Sequence, residues 1–64
     1  MKLKNFLEKV DKDQMVIVMI TAYGMMFETK HSVGYYLDHG DALKDSEVSA
    51  VYTRDDTLCV RLED

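Results

Sequence analysis

Leu3, Phe6, Leu7 and Val10 recur at i, i+3, i+4 and i+7 with polar or charged residues between them, the stripe of a short amphipathic helix over Leu3 to Val10. Asp11-Lys12-Asp13 ends it with turn-forming residues. So short a helix is unstable alone in water, which predicts a sheet beneath it. Gln14 to Thr21 is rich in Val and Ile, residues that favour a pleated surface, and reads as a strand. Thr21-Ala22-Tyr23-Gly24 then reads as a turn with two right-handed positions followed by glycine at positive φ. Met25 to Lys30 would be the returning strand. This turn places Thr21 opposite Met25, Met19 opposite Phe27 and Ile17 opposite Thr29. One face would carry Met15, Ile17, Met19, Met25 and Phe27; the other would carry Val16, Val18 and Ile20 beside Met26, Glu28 and Lys30. The first strand is apolar on both faces and the second on one, so the first is expected at the centre of a sheet and the second at its edge.

Ser32 is placed to cap a second helix over Val33 to His39, with Gly40 ending it. Val33, Tyr36 and Leu37 form its inward side; Tyr35, Asp38 and His39 face outward. Val48 to Thr53 and Thr57 to Leu62 alternate as two further strands, turning at Arg54-Asp55-Asp56-Thr57. Leu58, Val60 and Leu62 share one face of the last strand, and Cys59, Arg61 and Glu63 the other. The fold class expected is α+β: a single domain over residues 1–64 in αββαββ order, with an antiparallel four-stranded sheet packed with two short helices.

Length sharpens the energetics. A domain of about 60 residues buries only about 60% of its unfolded surface. Binding a partner or a second copy would therefore add useful stability. The net charge of −4 is concentrated after Leu37, where Asp38, Asp41, Asp45, Glu47, Asp55, Asp56, Glu63 and Asp64 outnumber Lys44, Arg54 and Arg61. Net acidity argues against direct nucleic-acid binding, which needs basic side chains to displace phosphate counterions. It suits a basic protein surface as partner, or serves solubility alone. Cys59 is the one cysteine, so no internal disulfide forms and a reducing, cytoplasmic setting is expected. The start is basic but amphipathic, unlike a signal peptide. The apolar run from Met15 to Ile20 falls well short of the ~20 residues that cross a bilayer. No membrane association is expected.

Chemistry-bearing patterns are few. His31 and His39 lie near Asp38 and Asp41 but match no zinc spacing, so no metal or cofactor is expected. Cys59 with His39 would be the nucleophile and base of a small hydrolase; the plainer reading of a strand cysteine is inert packing. Gly24, Gly34 and Gly40 fit no phosphate-binding fingerprint.

The start MKLKNFLEKVDKD, the Val-rich strand, the turn closing on Gly24 and the ending EVSAVYTRDDTLCVRLED together resemble a group of very short uncharacterised proteins of phages and prophages in low-GC Gram-positive bacteria. The resemblance spans nearly the whole chain. It implies a genomic setting more than an activity.

These readings converge on a non-enzymatic protein-binding module. If both helices cover one face of the sheet, Val16, Val18, Ile20 and Met26 stay exposed as an apolar patch. Tyr23 at the turn and Tyr35 on the second helix would add aromatic anchors. If the chain folds over both faces, the patch is core. A sharper version is an acidic inhibitor of a host nucleic-acid-handling defence complex of the anti-CRISPR type, with Asp38, Asp41, Asp45, Asp55 and Asp56 imitating phosphates against a basic groove. The alternative class is a structural homodimer joined through the first strand's patch or a sheet edge.

Overall fold

In the computed structural model, which describes residues 1–63, the elements run α1 (Leu3–Leu7), β1 (Met15–Ala22), β2 (Met25–Ser32), α2 (Val33–His39), β3 (Glu47–Arg54) and β4 (Thr57–Glu63). Asp64, counted among the acids above, lies outside the described residues. The four strands form one sheet in the order β2-β1-β4-β3. β1 is central, as its two apolar faces require.

The sheet is mixed, which corrects the antiparallel expectation: β1 and β4 run parallel, while β1–β2 and β3–β4 are antiparallel hairpins. The cause is α2. Its first turn is tied to the start of β1, where Val33 N–H donates to the Gln14 carbonyl at 2.9 Å and Gly34 N–H to the Lys12 carbonyl at 3.1 Å. Its far end leads into a connection that lies beside Ile20 and Leu62, at the opposite end of the sheet. The helix therefore carries the chain back along the strand direction before β3 starts. That extra lengthwise pass turns β4 parallel to β1.

The first hairpin closes with a shorter turn than the sequence suggested. Tyr23 (φ 54°) and Gly24 (φ 74°) both occupy the left-handed region, and Ala22 pairs with Met25. This two-residue loop is of the primed kind, whose twist matches that of paired strands. The expected pairs Thr21–Met25, Met19–Phe27 and Ile17–Thr29 are replaced by Thr21–Met26, Met19–Glu28 and Ile17–Lys30. A one-residue slip moves every β2 side chain to the other face. Val16, Val18 and Ile20 thus share a face with His31, Thr29 and Phe27, and Met15, Ile17 and Met19 with Ser32, Lys30 and Glu28. The second hairpin turns at Asp55 (φ 51°) and Asp56 (φ 62°), between the paired Arg54 and Thr57. A bulge at Ser49 shifts β3 by one residue, so Val48 and Val51 both lie on the face of Val60 and Leu62.

Both helices pack on that face. Leu3 and Leu7 from α1 and Val33 and Tyr36 from α2 form one buried cluster with Val16, Val18, Val60 and Leu62, bordered by the partly buried Phe6, Ile20, Leu37 and Leu58. The helix α1 is shorter than its stripe, with Glu8 at its C-cap and Val10 in the following turn. No side chain caps its start. Instead Leu3 N–H donates to the Ser46 carbonyl (2.9 Å) and Lys4 N–H to the Lys44 carbonyl (3.0 Å), so the α2–β3 connection satisfies the donors a helix start leaves open. In α2, Ser32 Oγ accepts from Tyr35 N–H at 3.2 Å, the cap its position indicated.

Candidate functional site

The face of the sheet away from the helices is the surface on which the chain can meet something else. Residues directly paired across strands share a face, and the registers arrange this one in successive levels. At the start of β1 the level runs Ser32, Met15, Thr57, Arg54. Next come Lys30, Ile17, Cys59, Tyr52, then Glu28, Met19, Arg61, Ala50. At the far end lie Met26, Thr21, Glu63 and Glu47. Neither helix covers any of them. Met15, Met26 and Tyr52 keep 39%, 50% and 42% of their surfaces in solvent, and Ile17 is half-buried.

Met19 and Cys59 belong to this face yet are 2% and 0% exposed. Tyr52 explains it. Its hydroxyl donates to Met19 Sδ at 3.3 Å, from β3 to β1, so the phenol ring crosses the intervening strand β4 and roofs it. The open face is therefore a low ridge formed by the Tyr52 ring, with Ile17, Met15 and Met26 beside it and charged ends around it.

The patch named from the sequence is not this one. Val16 and Val18 are fully buried beneath the helices, and Ile20 is half-buried on the same side. They are core, which corrects their assignment to a docking patch. The reason is the parallel pairing with β4, which sets Val16 beside Leu58, Val18 beside Val60 and Ile20 beside Leu62. The wholly apolar face of β4 and that of β1 together form the floor the helices need. Met26 is exposed as expected, but beside Thr21 and the Met15–Met19 face. Tyr23 is fully exposed at the hairpin apex. Near the hairpin tip Met25 and Phe27 are exposed on the helix side. Sequence reasoning missed Met15, Ile17 and Tyr52. The signal was the charged alternation of Arg61 and Glu63, which marks the solvent side of β4 and, through the pairing, of β1.

Tyr35 is exposed on α2 and stacks between two imidazoles, with ring centroids 3.8 Å from His31 and 4.8 Å from His39. The tyrosine thus separates the two histidines. Among the described residues no three His, Cys, Asp or Glu side chains are grouped to hold a metal ion. Cys59 faces away from the helices, whereas His39 is on α2 and His31 on the helix side of β2, so the sheet stands between thiol and imidazoles. Cys59 is buried and its Sγ–H points to the Thr57 carbonyl at 3.9 Å. The nucleophile–base pair of the hydrolase reading is not formed, because such a pair needs hydrogen-bond reach.

The acids do not gather. Asp55 and Asp56 turn the β3–β4 hairpin beside the start of β1, where Gln14 Nε2 donates to the Asp56 carbonyl at 3.1 Å. Asp41 and Asp45 lie in the α2–β3 connection at the other end of the sheet, and Asp38 on the exposed side of α2. Asp41 is paired with Lys44 at 3.0 Å and Asp45 with Lys2 at 3.9 Å. At that end a shallow open groove of about 380 Å³ runs between Ile20 and Leu62, the connection residues Ala42 and Asp45, and Glu47 at the start of β3. Glu47 there holds the N-terminal amine at 3.0 Å.

Tyr36 is the buried polar centre of the helix side. Its hydroxyl lies 2.9 Å from both the Thr29 carbonyl and Thr29 Oγ1, and 3.4 Å from the Val16 carbonyl. Burial pushes its phenol above the usual tyrosine value, against the opposing pull of the Thr29 hydroxyl and of backbone groups at Val18 and His31. No helix among the described residues is long and apolar enough to cross a membrane. Comparison of the chain with protein-family models, with curated proteins and with solved structures found no match in any of the three.

Proposed function

We propose that the chain is a protein-binding module that docks through the helix-free face of its sheet. The observation that carries this reading is the set Met15, Ile17, Met26 and Tyr52, apolar side chains exposed or half-buried on a face to which both helices turn their backs. Met15, Ile17 and the Tyr52 ring are neighbours, with Met26 apart from them beyond Glu28; exposed apolar surface of this kind marks interfaces, methionines repack readily against a partner, and a tyrosine held by its own hydroxyl bond is a rigid anchor. The phage or prophage setting suggested by the sequence suits a small accessory protein that acts by occupying another protein's surface. Phosphate imitation finds less support, since it calls for a continuous anionic surface and the aspartates occupy opposite ends of the fold.

The test pairs two variants. Met15→Asp/Met26→Asp charges the open face, and Lys9→Glu changes the helix side. A protein that associates with the wild-type chain and with Lys9→Glu, and is lost from the double variant with its circular dichroism unchanged, supports docking through the sheet. Association that survives the double variant overturns it.

A further inference from the structure

The charged side chains of the open face suggest what covers it. Among the described residues the ion pairs join Met1 to Glu47, Lys2 to Asp45 and Lys44 to Asp41. Glu28, Lys30, Arg54, Arg61 and Glu63, all on the open face, enter none of them. Glu63 stands directly opposite Glu47, a like-charge neighbour that costs stability and that only the N-terminal amine on Glu47 offsets. The cations Lys30 and Arg54 occupy the levels near the start of β1, and the anions Glu28, Glu47 and Glu63 the levels near its end, where Arg61 is the one cation among them. The face is thus divided along the strands into a cationic half and a mainly anionic one.

Resting on the docking reading above, we propose that the occupant is a second copy of the chain, set face to face about a two-fold axis that runs across the strands between the levels of Ile17 and Met19. This operation lays each strand antiparallel over its own copy. Lys30 of each protomer then meets the partner's Glu28, and Arg54 comes over the partner's Glu47 and Glu63. Ile17 comes over the partner's Met19, where the hydroxyl end of the partner's Tyr52 ring covers it. The large Tyr52 faces the small partner's Ala50. Arg61 faces the partner's Cys59, which the partner's Tyr52 ring roofs, so its guanidinium lands on an aromatic face, a favourable contact for a cation. The other in-plane axis, along the strands, would set Lys30 against Tyr52, Glu28 against Ala50 and Met26 against Glu47, and pairs no opposite charges. The distribution of charge selects the first axis, and such self-complementarity is what a two-fold interface demands.

Size sets the expected strength. Four strands about 4.8 Å apart and four levels about 6.7 Å apart give a face of about 500 Å². Two such faces bury on the order of 1,000 Å², at the small end of specific interfaces, so association is expected in the range of roughly 10 to 100 µM.

Sedimentation velocity over a loading series reads the outcome. The wild-type chain should pass from monomer to dimer in that range, and Glu28→Lys and Lys30→Glu should each move the midpoint up by about tenfold or more, because like charges then meet twice. An equimolar mixture of the two single variants should dimerise like the wild type, since each restores the other's missing partner. Both substitutions are at exposed positions, and unchanged circular dichroism checks the fold. A wild-type chain still monomeric at roughly 1 mM, far above the affinity expected of such an area, overturns self-association and leaves docking to its own test. A dimer indifferent to both charge reversals, or a mixture that fails to recover, overturns this arrangement. A dimer that also survives Met15→Asp/Met26→Asp forms elsewhere and overturns this proposal, leaving docking to its own test.

Discussion

Replacing Tyr36 by Phe isolates one hydroxyl in the centre of the helix side. The ring stays, so the packing with Leu7, Val18 and Val33 is kept, and what is lost is the bonding to Thr29 and the long contact to Val16. A phenol has one proton, and it goes to one acceptor at a time; the Thr29 carbonyl at 2.9 Å is the better placed. A net hydrogen bond is worth about 0.5–1.5 kcal/mol. Thr29 is at an exposed strand and can turn to water, so the cost should be about 1 kcal/mol near pH 7, lowering the melting temperature by about 4–8 °C for a domain of this size. Alkaline pH supplies a second, sharper readout. Burial holds the folded phenol above its usual value of 10.0, so its proton is bound more tightly in the folded than in the unfolded chain. This contribution is complete below the unfolded value and is lost as pH climbs through the folded one. Above pH 10 the wild type should therefore weaken relative to Tyr36→Phe by at most about 1.4 kcal/mol per pH unit, and the deficit of the variant should shrink toward zero. Urea unfolding of both proteins, followed by far-ultraviolet circular dichroism at pH 7, 9, 10 and 11, measures it. A deficit that stays constant across that series would show that the hydroxyl is not the buried, proton-retaining group described.

Two further substitutions test the turns that set the geometry. Tyr23 is fully exposed with φ 54°, so Tyr23→Asn, which tolerates that conformation better, should stabilise the chain by about 0.5–1 kcal/mol; a lower urea midpoint would count against the two-residue loop. At Gly40 an added Cβ would lie 2.6 Å from the Tyr36 carbonyl oxygen. Gly40→Ala should therefore cost about 1–3 kcal/mol through a clash with backbone, and a thermal melt matching wild type would mean the helix end is looser than drawn.

The second helix, its Ser32 cap and the Arg54–Thr57 turn could be read from residue order because each depends on local chemistry: a hydroxyl before an apolar stripe, and aspartates that accept left-handed backbone. The first hairpin could not. Tyrosine gives no hint that it will sit at positive φ, so residue order suggests a loop one residue longer and sets every β2 side chain on the wrong face. The choice of face on β1 failed for another reason. Met15, Ile17 and Met19 are as apolar as Val16, Val18 and Ile20, and alternation that is apolar in both phases has no preferred side. Only the pairing with β4, whose two faces do differ, resolves it, and that pairing depends on the lengthwise pass of α2, which no local pattern encodes. Of the residues expected to dock, Met26, Tyr23 and Tyr35 are legible as exposed; Tyr52 is hidden because its place arises from reaching across β4 to Met19.

Placing the strand made last beside the strand made first has a consequence for biosynthesis. Until Thr57 to Glu63 has left the ribosome, β1 lacks a neighbour on one side and the helices lack half their floor, so the nascent chain holds greasy surface it cannot yet sequester. A truncated translation product ending before Thr57 should remain unfolded and be a ready target for chaperones or proteases, and folding should begin only once synthesis has passed the final hairpin.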